Sequence, residues 1–157
     1  MENYLSVLEE SLKKKINILD ELTLYTKAQQ EILKAEEMNF EEFDVLVEKK
    51  DVLVQKLMEL DNGFETTYER IAQELVSQKE RYAVQIGRLQ ELIECLTDKN
   101  VKLQAMEQRN KERLVQYFGN TRQKICRGRQ NSQMAMNYYK NMSNGGFAPP
   151  QFMDSKQ

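Results

Sequence analysis

Apolar residues recur at steps of three and four along most of the chain, and this spacing predicts long amphipathic helices. From Met1 to Ala148 the sequence contains no proline, and both prolines stand together at Pro149 and Pro150. Proline in a helix interior costs roughly 3 kcal/mol, so its absence permits helices much longer than those of ordinary globular domains. We therefore expect an all-α protein, an antiparallel bundle of three long helices that resemble a coiled coil.

The first predicted helix runs from about Asn3 to Glu36 and is roughly 50 Å long. Its apolar seam is rich in leucine, with Leu5, Leu8, Leu12, Leu19, Leu22 and Leu33. Asn39, followed three positions later by Glu42, has the pattern of an N-cap with a capping box. This pair predicts a chain reversal and the start of a second helix.

The second reversal has two candidate positions. The Asp-Asn-Gly run at 61–63 is the strongest local breaker before the C-terminal part of the chain. However, the apolar spacing from Leu60 through Phe64 to Tyr68 continues in register across it. A reversal near Ser77 would give three helices of similar length that cover one another end to end. We expect the second helix to pass through the 61–63 run and to turn near Ser77.

The third predicted helix has its apolar seam between Tyr82 and Tyr117. This seam is more polar than the other two, because Asn100 and Asn110 fall at or near positions where an apolar residue is expected. Asparagines that face a helical core can fix its register at some cost in stability. Contact with a partner is the alternative role for these two residues.

Residues 1–118 are predicted to form the helical core and residues 119–157 a marginally ordered tail, with helical propensity to about residue 142 and disorder after it. The tail is rich in glycine, asparagine and glutamine, yet it keeps intermittent apolar residues that a solvated tail would lack. Such a segment is expected to be helical when it lies in a groove, either with a partner or on its own bundle. These candidate binding residues are Ile125, Met134, Met136, Tyr138, Tyr139 and Met142.

The two halves of the chain differ in charge. Residues 1–78 carry 9 Lys and Arg against 18 Asp and Glu, whereas residues 79–157 carry 14 against 7. Bundle packing would place acidic helices beside a basic one, although exposed ion pairs contribute only about 0 to 1 kcal/mol each. Alternatively, the basic surplus around Arg122 to Arg129 forms a surface for an acidic partner or nucleic acid.

The sequence lacks the residues on which most enzymes depend. It contains no histidine, so neither a proton shuttle near neutral pH nor a Ser/His/Asp or Cys/His arrangement can be built. It also has no glycine-rich phosphate loop. Cys95 is expected to be partly buried, and Cys126 lies outside any metal-binding spacing. We expect no enzymatic activity, no metal site and no cofactor.

Two further absences concern the location of the protein. No stretch of about 18 uncharged apolar residues occurs, which disfavours a transmembrane helix. The N-terminal sequence lacks the basic region, apolar core and cleavage site of a signal peptide. A reduced, cytoplasmic location is therefore expected.

Three placed features accompany the leucine-rich first helix. They are Asn39-Phe40-Glu41-Glu42 at the first turn, Lys49-Lys50 before Val52-Leu53 in the second helix, and Tyr117-Phe118-Gly119 near the end of the third. In this succession, over roughly residues 3–142, the chain resembles the FlgN family of bacterial flagellar export chaperones.

The resemblance implies a cytoplasmic chaperone that binds the hook-filament junction proteins FlgK and FlgL before export and holds their C-terminal helices unassembled. The apolar tail residues would then be the cargo contacts. It also implies docking on the export gate protein FlhA through a tyrosine near the end of the helical region. Tyr117 is the closest candidate for that tyrosine, with Tyr138 and Tyr139 as alternatives.

Other classes of protein share this helical periodicity. A structural coiled-coil adaptor or oligomerisation protein would pair its heptads between chains, whereas the chaperone interpretation expects a monomer or weak homodimer. A nucleic-acid binder would use the stretch from Arg122 to Arg129, but few aromatic residues are interleaved there, so we expect no nucleic-acid partner. A FliT-type chaperone or a FliJ-like stalk protein would have a similar fold.

Overall fold

The computed structural model describes residues 1–120, 134–135, 137–140 and 152. It contains three long helices, α1 (Glu2–Lys34), α2 (Phe40–Ser77) and α3 (Ala83–Asn120). The prediction of an all-α bundle of three long helices is confirmed. Within the described residues, no helix has the combination of length and apolar character that crossing a membrane requires.

The turn between α1 and α2 forms where the capping pattern predicts it. α1 ends at Lys34, and Ala35 has an extended backbone. The side-chain oxygen of Asn39 accepts a hydrogen bond from the backbone N–H of Glu42 at 3.2 Å. This bond satisfies one of the free N–H groups at the start of α2.

Helix α2 continues through Gly63 without a break and ends at Ser77, as the apolar register indicates. Glycine in a helix interior costs about 1 kcal/mol relative to alanine. Continuing the helix keeps Phe64 on the core face, where only 1% of its surface is exposed. Burying a phenylalanine side chain contributes about 1.5 to 3 kcal/mol, so packing outweighs the local breaker.

Side-chain contacts set the direction of the helices. Lys15 pairs with Asp61, while Gln29, further along α1, donates to the carbonyl of Phe43, nearer the start of α2. Helices α1 and α2 are therefore antiparallel.

Helix α3 runs in the same direction as α1. The ammonium of Lys99 lies 2.7 Å from a carboxylate oxygen of Asp20, and the Thr26 hydroxyl lies 2.6 Å from that of Glu107. The first contact joins the acidic half of the chain to the basic half, at an exposed position where its contribution is small.

The core has two hydrophobic clusters, and tail residues belong to both. Ala135, Tyr138 and Tyr139 are buried in the cluster nearer the α1–α2 turn, and Phe152 packs on the other. The turn-side cluster also buries Leu19, Leu22, Met38, Phe43, Val47, Leu53, Val54, Leu57, Leu96, Leu103 and Leu114. The opposite cluster buries Leu5, Leu8, Leu12, Phe64, Ile71, Leu75, Tyr82, Ile86 and Leu89.

The expectation for Cys95 is wrong, since its side chain is exposed. The next residue, Leu96, takes the seam position and is 2% exposed. A helical residue that precedes a seam position is rotated about 100° away from it, which turns Cys95 toward solvent. Cys126 lies outside the described residues.

Candidate partner-binding groove

Helices α2 and α3 leave a cleft between them. α1 lies against both, but no Cα atom of α2 comes within 8 Å of one in α3 along the described residues. The helical tail residues 134–135 and 137–140 supply three side chains, Ala135, Tyr138 and Tyr139, that are buried in this region. We call the cleft around Lys50 and Glu107, in which these side chains lie, the tail groove.

A fully buried ion pair crosses the groove from α2 to α3. It joins the ammonium of Lys50 to a carboxylate oxygen of Glu107, and both side chains are 0% exposed. The Lys50 ammonium also donates to the side-chain oxygen of Gln29 on α1 at 2.6 Å. Gln29 in turn donates to the carbonyl of Phe43 at 3.5 Å. The pair is therefore held by hydrogen bonds as well as by charge, as a buried pair requires.

Helix α1 contributes a second polar side chain to the same network. The hydroxyl of Thr26 lies 2.6 Å from Glu107 Oε1 and 2.7 Å from the carbonyl oxygen of Leu22. The side-chain amide of Asn110 donates to the carbonyl of Thr26 at 3.1 Å. Asn110 thus faces inward and fixes α3 against α1, which is the register role that its seam position predicts.

Tyr138 completes the network from the tail. Its hydroxyl donates to Glu107 Oε1 at 3.2 Å, and the Lys50 ammonium lies 4.4 Å from the centroid of its ring. The ring of Tyr139 packs edge-on against that of Tyr138, with centroids 5.4 Å apart. One helical turn of the tail is therefore held by a hydrogen bond to a carboxylate, a cation–π contact and aromatic packing.

Burial changes the acid–base properties of these groups. It lowers the pKa of Lys50, and the adjacent Glu107 carboxylate opposes that change. Burial, followed by the charge of Glu107, raises the pKa of Tyr138 well above its usual value, so the phenol remains a donor at neutral pH. The second carboxylate oxygen of Glu107, Oε2, accepts no hydrogen bond from the described residues.

The candidate binding residues that the structure describes come together at this groove. Met134 is partly buried against the turn-side cluster, and Tyr138 and Tyr139 are each 2% exposed. Their apolar surfaces pack on the protein's own bundle. The sequence predicts that the tail is helical either there or in contact with a partner. The other three candidate binding residues, Ile125, Met136 and Met142, lie outside the described residues.

Tyr117 lies at the end of α3 beside the α1–α2 turn. Its hydroxyl accepts a hydrogen bond from the backbone N–H of Met38 at 3.4 Å, and its ring packs edge-on against Phe40 and Phe118. These three rings form a half-buried aromatic group at one end of the bundle. Docking of Tyr117 on the export gate stays a prediction.

Phe152 is a second tail anchor that the sequence analysis did not identify. Its ring lies 5.0 Å from that of Tyr68 and 6.2 Å from that of Phe64, measured between centroids. The available signal was a single aromatic residue in a polar segment after two prolines. The two anchors are Tyr138, which contacts Lys50 in the N-terminal third of α2, and Phe152, which contacts Phe64 and Tyr68 in its C-terminal half.

A partly buried carboxylate on α2 predicts a pH effect on stability. Burial, assisted by the charge of Glu48, raises the pKa of Asp44 from 3.8 to about 6. The folded protein therefore holds this proton to a higher pH than the unfolded chain, so the free energy of unfolding falls as pH rises from about 4 to 6. Burial also raises the pKa of Asp51.

We expect an Asp44→Asn variant to lose less stability than the wild type between pH 4 and pH 6. Urea unfolding followed by circular dichroism at the two pH values measures this difference. An Asp98→Asn variant, which changes an exposed carboxylate, is the matched control and should behave as wild type. The same pH dependence in all three proteins would contradict the assignment.

Within the described residues, no three His, Cys, Asp or Glu side chains are grouped so as to hold a metal ion. Comparison with protein-family models, with curated protein sequences and with solved structures finds no match to this chain. The fold itself defines an all-α bundle in which part of the tail is buried between two helices.

Proposed function

We propose that the protein is a helix-binding chaperone, in which an amphipathic helix of a partner protein enters the tail groove in place of the helical tail residues 134–135 and 137–140. The observation that carries this proposal is the burial of Ala135, Tyr138 and Tyr139, with Tyr138 contacting both Lys50 on α2 and Glu107 on α3. The groove already accommodates a helical segment. It offers apolar contacts to one face of that helix and a carboxylate that accepts a hydrogen bond from a side-chain hydroxyl of the helix.

Two features of the bundle support exchange at this groove. The described helical residues of the tail, 134–135 and 137–140, cover about two turns, and an isolated helix of so few residues is marginal in water, so packing in the groove stabilises them. A partner helix that buries more apolar surface between α2 and α3 than these tail residues do would bind in their place. The burial of the three helical seams within one chain also favours a monomer or weak homodimer over an adaptor that pairs seams between chains.

The resemblance to FlgN proteins supplies the particular partners. We propose that the cargo comprises the hook-filament junction proteins FlgK and FlgL, bound in the cytoplasm and delivered to the export gate protein FlhA. The half-buried aromatic group of Phe40, Tyr117 and Phe118 supports a docking role at the end of the bundle. Aromatic side chains that are partly exposed and held in place are typical of interaction surfaces.

The predicted cargo contacts in the tail give an alternative arrangement of the same complex. Tyr138 and Tyr139 are buried in the bundle, so they can contact cargo only after leaving the groove. If cargo replaces the tail, weakening the tail strengthens cargo binding. If the tail residues hold the cargo, weakening the tail lowers the affinity.

Calorimetric titration of FlgK and FlgL into the full chain tests the function. We expect binding, and we expect Tyr138→Ala to tighten it about tenfold, because the groove no longer has to be vacated. Tyr4→Ala, at an exposed position of α1, is the matched control and should leave the affinity unchanged. Weaker binding by Tyr138→Ala would favour cargo contacts in the tail, and no binding by any variant would reject FlgK and FlgL as the cargo.

A further inference from the structure

We infer that the tail groove selects partner helices that present a tyrosine preceded, three positions earlier, by a small residue. In the bound helix the tyrosine hydroxyl meets Glu107 and its ring lies over the Lys50 ammonium, as Tyr138 does. The inference rests on the proposed function, because it names the chemistry of the partner helix. The chain's own segment provides the template.

The template has helical spacing. Ala135 and Tyr138 are three residues apart, so both lie on one face of the turn, and they are 1% and 2% exposed. A large side chain at the place of Ala135 would have to displace its buried neighbours. The neighbouring Asn137 and Lys140 are exposed, so they have no part in filling the groove.

The selection for a tyrosine comes from the buried carboxylate. Glu107 Oε1 has the Lys50 ammonium, the Thr26 hydroxyl and the tyrosine hydroxyl around it, whereas Oε2 accepts nothing from the described residues. Phenylalanine would fill the same space but would remove one donor from a buried charge. A site that hydrogen-bonds a hydroxyl rejects the analogue without it far more strongly than a pocket that discriminates by size.

The cation adds a second requirement. The Lys50 ammonium lies 4.4 Å from the ring centroid of Tyr138 and is itself fully buried. A desolvated cation gains more from an aromatic face than an exposed one does, and an aliphatic side chain offers no such face. Leucine or methionine at this position would therefore satisfy neither Glu107 nor Lys50.

Peptide binding to the full chain tests this selectivity. In the Tyr138→Ala variant the groove has lost its own tyrosine, and a synthetic peptide of residues 131–143 serves as the fluorescent probe. We expect the peptide to bind and its Tyr138→Phe form to bind at least about tenfold more weakly. A peptide with Asn137→Ala is the matched control and should retain full affinity. In a chain that carries Glu107→Gln as well, we expect the difference between the tyrosine and phenylalanine peptides to shrink.

Two results would overturn the inference. One is equal affinity of the tyrosine and phenylalanine peptides for the Tyr138→Ala chain, and the other is no binding of either peptide. Neither result concerns FlgK or FlgL, whose titration into the same chain judges the proposed function separately. Selective peptide binding without binding of those two proteins would retain the inference and reject the cargo.

Discussion

Replacement of Glu107 with leucine is expected to lower the free energy of unfolding by about 3 to 5 kcal/mol. Among the described residues, the change leaves the buried Lys50 ammonium with Gln29 as its remaining hydrogen-bond acceptor. It also removes the acceptor of the Tyr138 hydroxyl, so the tail loses its polar contact with the groove. Urea unfolding of the full chain, followed by circular dichroism at 222 nm, measures the loss.

Two further variants separate the buried charge from the loss of a side chain. The double variant Lys50→Met with Glu107→Leu should recover most of the stability, because an apolar pair of similar volume replaces a desolvated ion pair. Lys99→Ala removes an exposed pair with Asp20 and should cost no more than about 1 kcal/mol. A Glu107→Leu loss as small as that of Lys99→Ala would contradict the burial of the pair.

The second large effect is expected at Phe64, where substitution by alanine should cost about 3 to 5 kcal/mol. Phe64 is 1% exposed and lies in the cluster opposite the turn, beside Tyr68 and the tail residue Phe152. Truncation removes most of a buried ring and leaves a cavity among side chains on more than one helix. Thermal and urea unfolding of the variant measure this cost.

Positions on either side of the core provide the controls. Val52→Ala, where the side chain is 57% exposed, should change stability by only about 0.5 kcal/mol. Gly63→Ala should stabilise the protein slightly, because an added Cβ meets nothing within 4 Å and alanine is the better helix former. A Phe64→Ala effect equal to that of Val52→Ala would show that α2 does not pass through Gly63 in the register described.

The helices could be predicted from the sequence because each depends on local signals that repeat along the chain. The leucine seam gives α1, and the Asn39 and Glu42 pair gives the start of α2. At Gly63 two local signals disagree, and the seam prevails because it commits Phe64 and the residues after it to the core. The inward asparagine at position 110 also follows from its place on the seam.

The tail groove could not be predicted in this way. Lys50 and Glu107 are 57 positions apart in the sequence. A charged residue at a seam position usually indicates a solvent-exposed part of a helix, not a buried ion pair. The two charges meet because α1 packs against both α2 and α3 and so places Lys50 and Glu107 on either side of one cleft. The burial of Tyr138 was likewise left open by the sequence, because an apolar face on a marginal helix fits a partner as well as its own bundle.

Amide hydrogen exchange of the full chain, alone and saturated with FlgK or FlgL, tests the central claim most directly. If a partner helix takes the place of the tail, exchange at residues 134–140 should rise in the complex. Exchange at the groove-lining turns of α2 and α3 around Lys50 and Glu107 should stay equal or fall. Unchanged or slower exchange at residues 134–140 in a saturated complex would contradict replacement of the tail by the cargo.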